Sequence, residues 1–165
     1  MCALFGFFAD VEQPEAILAK MSSVLLHRGP DDQGKYLDYR LGLGHNRLSV
    51  IDLSPAGHQP MVLEKDGLVI VFNGEIFNYK ELRKDLSGES FFSETDTEIL
   101  LRAFKLWGKE CLQQLNGMFA FAIWDKKKRE LFLARDRFGI KPLYYSIRPE
   151  GVYFASEPKG LFAAG

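Results

Sequence analysis

Residues 117–125 read GMFAFAIWD, and the six residues from Phe119 to Trp124 are all apolar. A strand with this composition has no polar face for solvent, so it has to be covered on both sides. Two sheets packed against each other, with helices on their outer faces, would cover it. The segment therefore favours an α+β layered sandwich over a sheet with one open face.

Apolar periodicity and turn residues divide the rest of the chain into short elements. Strands are predicted at 2–9, 36–39 and 41–52, in a hairpin at 61–74, and in an antiparallel meander at 117–125, 130–136, 142–148 and 151–156. Helices are predicted at 13–26, 78–87 and 94–108, with a last helical turn at 157–163. Loops rich in Gly, Pro and Asp are predicted at 27–34 and 54–60. Thr95 or Asp96 can cap the helix at 94–108, and Glu98 fits a capping box if Thr95 is the cap.

Composition limits the classes of function. The 165 residues suit one domain, and 21 Lys and Arg against 22 Asp and Glu give a net charge of −1. That balance argues against nucleic acid or an acidic membrane surface as a partner. The basic run at 126–129 is interpreted as a solvated hairpin turn. Two cysteines, a poor signal peptide and no apolar stretch of about 18 residues predict a cytoplasmic protein.

Cys2 follows the initiator Met1 directly and heads an apolar run, MCALFGFF. One interpretation is a buried strand in which the thiol is a small hydrophobe. The other is a nucleophile: removal of Met1 would leave Cys2 with a free α-amine, whose pKa of about 7.7–8.0 lets it accept the thiol proton. The cysteine alone does not decide between them.

Two further segments could serve such a nucleophile. In NGEIFNY (73–79), the side-chain amide of Asn73 and the backbone N–H of Gly74 could donate to a developing oxyanion, although Asn-Gly is also an ordinary hairpin turn. Arg47 lies among small and apolar residues in GHNRLSVID (44–52). It could hold a carboxylate, or it could be a surface residue on an edge strand.

Carboxylates and histidines give weaker signals. Asp96 and Glu98 could cap a helix, or a carboxylate there could hold an ammonium group. The three histidines have no metal-ligand spacing, so no metal site is predicted, and no nucleotide-phosphate motif is present.

Eight segments together resemble class II (N-terminal nucleophile) glutamine amidotransferase domains. They occur in that family's order and span essentially the whole chain: MCALFGFF, HRGPDDQG, GHNRLSVIDLSPAGHQPM, NGEIFNY, ETDTE, GMFAFAIWD, RDRFGIKPLYY and SEPKGL. RLSVID and HRGPDD resemble the glutamine-hydrolysing asparagine synthetase branch.

The resemblance implies a four-layer αββα sandwich of two mainly antiparallel sheets, which hydrolyses the glutamine side-chain amide to glutamate and ammonia. It assigns Cys2 as nucleophile and, through its amine, as base, with Asn73 and Gly74 as the oxyanion hole. Arg47 would hold the glutamine α-carboxylate. The same resemblance places five further residues at the substrate: Leu48, Val50 and Ile51 through their backbone, and, near the α-amino end, Glu75 and Asp96.

The resemblance also implies partners. Residues 1–165 would form the amidotransferase type-2 domain, and the synthetase domain that uses ATP and Mg²⁺ would be absent from this sequence, so no cofactor is expected within it. Expected partners are L-glutamine and an ammonia-accepting synthetase domain or subunit, with a homodimer left open. A non-catalytic regulatory or interaction module that retains the fold is the alternative function.

Overall fold

Nine strands and four α-helices make up the chain, and the computed structural model describes all residues 1–165. The strands are β1 (Ala3–Ala9), β2 (Asp32–Asp38), β3 (Leu41–Arg47), β4 (Met61–Leu63), β5 (Leu68–Ile76), β6 (Gly117–Asp125), β7 (Glu130–Arg135), β8 (Tyr144–Arg148) and β9 (Gly151–Ala155). The helices are α1 (Pro14–Leu25), α2 (Tyr79–Asp85), α3 (Asp96–Trp107) and α4 (Pro158–Ala163). None of the helices is long and apolar enough to cross a membrane.

The strands form two antiparallel sheets that pack face to face. The first sheet has the order β2-β3-β1-β9-β8, and the second has the order β4-β5-β6-β7. Helices α1 and α4 share an apolar cluster with the first sheet, and α2 and α3 share one with the second. A third cluster lies between the sheets. The predicted αββα sandwich is therefore confirmed.

The GMFAFAIWD segment is β6, an interior strand of the second sheet. Its even-numbered side chains, Ala120, Ala122 and Trp124, pack between the two sheets. Its odd-numbered side chains, Phe119, Phe121 and Ile123, join the cluster that includes α3. Both faces are buried because side chains alternate along a strand, as the apolar run predicted.

The predicted meander of the last four strands is wrong. Strands β6 and β7 belong to the second sheet, whereas β8 and β9 belong to the first. The segment 136–143 crosses between the sheets. Asp136 organises this crossing, because its carboxylate accepts backbone N–H groups from Phe119, Phe138, Ile140 and Lys141. Periodicity identified the strands but carried no information about which sheet each one joins.

Two strand boundaries in the first sheet and the capping of α3 also differ in detail from the sequence predictions. The strand predicted at 41–52 ends at Arg47, and β2 begins at Asp32, inside the predicted loop 27–34. Thr95 caps α3 by accepting the N–H of Glu98 at 3.2 Å. The capping box is incomplete, because the Glu98 carboxylate instead accepts N–H groups of the preceding loop and pairs with Arg102. The basic run 126–129 forms the turn between β6 and β7, as predicted.

Candidate active site

A cleft of about 180 Å³ opens at one end of the space between the two sheets. It contains all nine residues to which the family resemblance assigned a role: Cys2, Arg47, Leu48, Val50, Ile51, Asn73, Gly74, Glu75 and Asp96. Strand alternation explains part of this convergence. On each of β1, β3 and β5, a residue two or four positions from a cleft residue packs between the sheets: Leu4 for Cys2, Leu43 for Arg47 and Val71 for Asn73. An even spacing puts both side chains on the same face of the sheet.

Cys2 lies just before β1, beside the end of β3. Its Sγ is 3.4 Å from the backbone N of Leu48 and 3.5 Å from the Leu48 carbonyl oxygen. Burial raises the pKa of the Cys2 thiol, although the Leu48 contact and nearby positive charges, including Arg47, oppose that rise. The thiol is therefore protonated near neutral pH and needs a base before it can attack a substrate.

The backbone of Cys2 is anchored by residues that the sequence analysis did not single out. Arg28 donates from Nε to the Cys2 carbonyl oxygen at 3.0 Å, and its Nη1 donates to Glu157 at 2.8 Å. Two residues after Cys2, the Leu4 N–H donates to Ser156 Oγ at 3.0 Å. The HRGPDDQG and SEPKGL segments thus meet at Cys2 and the start of β1, a relation between distant segments that no local pattern reveals.

Asn73 and Gly74 lie within β5 rather than in a turn, so the hairpin-turn interpretation of this pair is wrong. The Asn73 side chain is only 3% exposed and makes no hydrogen bond within the protein, and its Nδ2 is a buried, unpartnered donor. Such an orphan costs roughly 1–3 kcal/mol of stability. It is a donor held ready for an acceptor that the protein does not supply.

The backbone of Gly74 faces an open sheet edge. Alternate residues of an antiparallel strand direct N–H and C=O to the same neighbour. Phe77 N donates to Asn116 O, and Lys126 N donates to Gly67 O, both at 2.8 Å. The backbone N–H and C=O groups of the odd-numbered residues of β5 therefore point toward β6. Gly74 therefore turns its N–H away from β6, at a position that β4 does not reach. A Cβ on Gly74 would lie 2.3 Å from the Met118 carbonyl oxygen, which restricts this position to glycine.

Arg47 is buried on an interior strand, which rules out the edge-strand interpretation. Its guanidinium donates to the backbone carbonyls of Ile51, Asp52 and Ser54, so it orders the loop that follows β3. Gly57 leaves room for it, since a Cβ there would lie 2.0 Å from Nη2. Leu48, Ile51 and Val50 line the cleft from this loop, with Val50 75% exposed.

The charges of the cleft are unpaired within the protein. Arg47 and Lys141 are cations that form no salt bridge, and Asp96 and Glu75 are carboxylates that form none. Lys141 is buried, and its Nζ contacts Met1 Sδ at 3.5 Å. Cations and carboxylates that lack internal partners in one small cleft match a ligand that carries both signs of charge.

The surroundings of Asp96 disfavour the ionised form of its carboxyl group. Burial raises its pKa to about 6, with the nearby Glu75 charge adding to the rise, although the backbone N–H of Ile76 donates to its carboxylate at 3.0 Å. The sequence analysis considered Asp96 as a helix cap or a ligand group; in the structure the cap is Thr95.

We predict that Asp96→Asn stabilises the folded chain at pH 7.5. A carboxyl group whose pKa rises from 3.8 to about 6 on folding favours the unfolded state once it ionises. The deficit is absent below pH 3.8, grows as pH rises through this window, and is complete above pH 6. It corresponds to roughly 3 kcal/mol, so we expect a gain of about 1–3 kcal/mol, measured by urea unfolding at several pH values. An equal difference between variant and parent at pH 4 and pH 7.5 would contradict this origin.

Several residues of the cleft carried no usable sequence signal. Gln59 and Thr97 are buried polar side chains there, and Met118 lies beside Gly74. Lys141 belongs to RDRFGIKPLYY, a segment that contributed to the resemblance but received no role. Only an apolar context around a polar residue, as in the QPM segment at 59–61, could have drawn attention to Gln59.

Comparisons with known proteins give one consistent answer. A family model described as "Glutamine amidotransferase domain" matches residues 1–165. The chain is 44% identical to glutamine-hydrolyzing asparagine synthetase 1 of Bacillus subtilis (strain 168), over 99% of the chain and 27% of that protein. It is 39% identical to asparagine synthetase 3 of the same organism, over 99% of the chain and 28% of that protein.

A solved structure shares the fold. Glutamine phosphoribosylpyrophosphate amidotransferase from B. subtilis, complexed with ADP and GMP, superposes with a TM-score of 0.84 at 22% identity. The match covers 99% of this chain and 44% of that chain. The chain thus spans less than half the length of each of these proteins, and it belongs to the glutamine amidotransferase domain family.

Proposed function

We propose that the chain hydrolyses the side-chain amide of L-glutamine to glutamate and ammonia, and that the ammonia passes to an acceptor on a synthetase domain or subunit. The observation that carries this proposal is the cleft in which Cys2 Sγ lies with the unpartnered side-chain amide of Asn73. Acyl transfer to a thiol needs these two components, a nucleophile and donors for the developing oxyanion.

Cys2 supplies both the nucleophile and the base. Its thiol attacks the amide carbon, a C–S bond forms, and the carbonyl electron pair moves onto oxygen. The free α-amine of Cys2 takes the thiol proton and delivers it to the substrate nitrogen as the C–N bond breaks, which releases ammonia and leaves a γ-glutamyl thioester. Water then attacks the thioester, the thiol leaves with its proton restored, and glutamate departs. Because burial raises the pKa of the thiol, this base is required near neutral pH.

The remaining residues of the cleft have roles that follow from their charge and position. Asn73 Nδ2 and the Gly74 N–H donate to the oxyanion. Arg47 attracts the α-carboxylate, and Asp96 with Glu75 attracts the α-ammonium group. The fit is supported by the absence of internal salt-bridge partners for these three side chains, which leaves their charges available to a zwitterion.

The ammonia acceptor belongs to a separate domain or subunit. The asparagine synthetases matched above are more than twice the length of this chain. We assign ATP and Mg²⁺ to the acceptor reaction of such a synthetase partner and leave a homodimer open. We place the reaction in the cytoplasm, because both cysteines are free thiols, as expected in a reducing compartment.

We predict that activity depends on a free amine at Cys2. While Met1 is attached, the nitrogen of Cys2 is an amide and cannot accept a proton. The chain should be produced with a cleavable tag placed directly before Cys2, so that cleavage exposes the amine. Glutamate release from glutamine is expected after cleavage and is expected to be at background before it, with intact mass reporting the cleaved fraction.

The same sample separates catalysis from a binding role. The uncleaved protein is the matched control, because its sequence from Cys2 onward is the same and it differs in carrying the tag as an amide on the nitrogen of Cys2. A folded, fully cleaved chain that releases no glutamate, even with a synthetase partner and its acceptor present, would favour a non-catalytic module. Equal activity before and after cleavage would remove the amine from the mechanism.

A further inference from the structure

Phe72, the residue before Asn73, has both of its backbone polar groups held by side chains from other segments. Gln59 Oε1 accepts the Phe72 N–H at 2.6 Å, and His45 Nε2 donates to the Phe72 carbonyl oxygen at 2.9 Å. Gln59 is 5% exposed and His45 is fully buried. These bonds belong to the edge of β5 that faces away from β6.

That edge lacks a neighbouring strand along most of its length. Strand β4 pairs only with Leu68–Ile70 of β5. Further along, the edge carries in turn Phe72, Gly74 and Ile76. Phe72 is bound by Gln59 and His45, and the Ile76 N–H is bound by Asp96 at 3.0 Å. Between these two anchored positions the Gly74 N–H has no partner within the protein.

We propose that Gln59 and His45 are positioning residues that hold the oxyanion donors of β5 in place. This inference rests on the proposed function and deepens it. The two side chains replace the missing strand, fix the peptide planes on either side of Phe72, and so set the positions of the Asn73 amide and the Gly74 N–H. A donor contributes to catalysis only when it is already aimed at the developing charge, and errors of about 1 Å reduce rates by about 10²-fold.

Gln59 also connects the two ends of the cleft. Its Nε2 donates to Thr97 Oγ1 at 3.4 Å, next to Asp96 at the start of α3. The residues proposed to hold the substrate ammonium group and those proposed to bind the oxyanion therefore share one buried support.

The state of His45 suits a fixed donor. Burial lowers its pKa to about 4, so the ring is neutral near pH 7, with the Nε2 proton directed to Phe72 and Nδ1 unpartnered. The titratable and charged side chains that act on it are Arg47 and Asp32, with His58 further out on its loop. A permanently neutral, buried ring donates the same bond throughout the neutral pH range.

The test uses Gln59→Met, which keeps the length of the side chain and removes the acceptor, and His45→Phe, which removes the other bond. In the chain with a free Cys2 amine, kcat for glutamine hydrolysis is expected to fall at least about tenfold in each variant. In His45→Phe, which leaves the Gln59–Thr97 contact in place, the KM for glutamine should change by less than about threefold. Alkylation of Cys2 by iodoacetamide should keep its rate within about twofold, because that reaction forms no oxyanion.

The matched control is Trp124→Phe. Trp124 is also buried between the sheets, and its Nε1 also donates one hydrogen bond, to Asp38 at 3.0 Å. It lies four residues along β6 from Ala120, the residue that pairs with Asn73. It is expected to keep kcat. If Gln59→Met retains kcat within about twofold, or loses alkylation rate in proportion to kcat, the positioning role is overturned.

Amide hydrogen exchange separates this inference from the proposed function. In the parent chain the Phe72 N–H should be protected and the Gly74 N–H should exchange freely; in Gln59→Met the Phe72 N–H should lose its protection. A tag-cleaved parent chain that hydrolyses no glutamine, even with a synthetase partner and its acceptor present, would sink the proposed function, but the exchange pattern would still report on the support. Unchanged protection of Phe72 in Gln59→Met would overturn the support itself.

Discussion

Replacing Cys2 with alanine is expected to reduce glutamine hydrolysis to the rate measured without protein. Alanine retains the free α-amine but has no atom that can form a thioester, so both the attacking group and the covalent intermediate are lost. The measurement is glutamate release by the tag-cleaved variant, compared with the parent prepared in the same way. Iodoacetamide should inactivate the parent by modifying Cys2, and saturating glutamine should slow that modification.

Cys111 provides the control for this prediction. It is fully buried near the end of α3, and burial raises the pKa of its thiol to about 12. Cys111→Ala should therefore keep kcat, although the lost packing lowers stability. Hydrolysis by Cys2→Ala at a rate close to that of the parent would remove Cys2 from the role of nucleophile. Modification of Cys111 in preference to Cys2 would contradict the assignment of reactivity.

The layers of the fold could be predicted from the sequence because a strand made only of apolar residues has to be buried on both faces. The all-apolar run of β6 could not be accommodated in a one-sided sheet, and its alternate residues do face the two neighbouring layers. The assignment of the last strands to sheets could not be predicted in the same way. Strand β8 joins β9 in the first sheet because the segment after Asp136 crosses over, and this depends on four backbone groups converging on one carboxylate.

In the candidate site, too, some residues could be predicted from the local sequence and others could not. Arg47 was found because an arginine is unusual in an apolar strand, and Asn73 because its side-chain amide and the neighbouring Gly74 N–H could donate to an oxyanion. The family resemblance then assigned a role to each of them. The supports of the site were missed: Arg28 contacts Cys2 across 26 positions, and Gln59 contacts Phe72 across 13. Such contacts depend on the assembled sheets, so a local pattern contains no trace of them.

Replacing Asn73 with alanine is expected to lower kcat by about 10²–10³-fold, which is the loss typical of one oxyanion donor. Because the Nδ2 donor is buried without a partner, its removal should leave stability unchanged or slightly improved. The KM for glutamine should change little, since the interaction forms chiefly as charge develops on the carbonyl oxygen. The measurements are steady-state kinetics of the tag-cleaved variant and urea unfolding of the same sample.

Asn78→Ala is the matched control, and it should behave in the opposite way. The Asn78 side chain donates to the Gln114 carbonyl oxygen and accepts the Asn116 N–H, both at 2.9 Å, outside the cleft. Its loss should cost about 1–2 kcal/mol of stability and leave kcat within about twofold. A functional donor is thereby distinguished from a structural one, because only the structural asparagine is satisfied in the folded protein. If Asn73→Ala lost stability as Asn78→Ala does while it kept its kcat, Asn73 would be a structural residue and the oxyanion would need another donor.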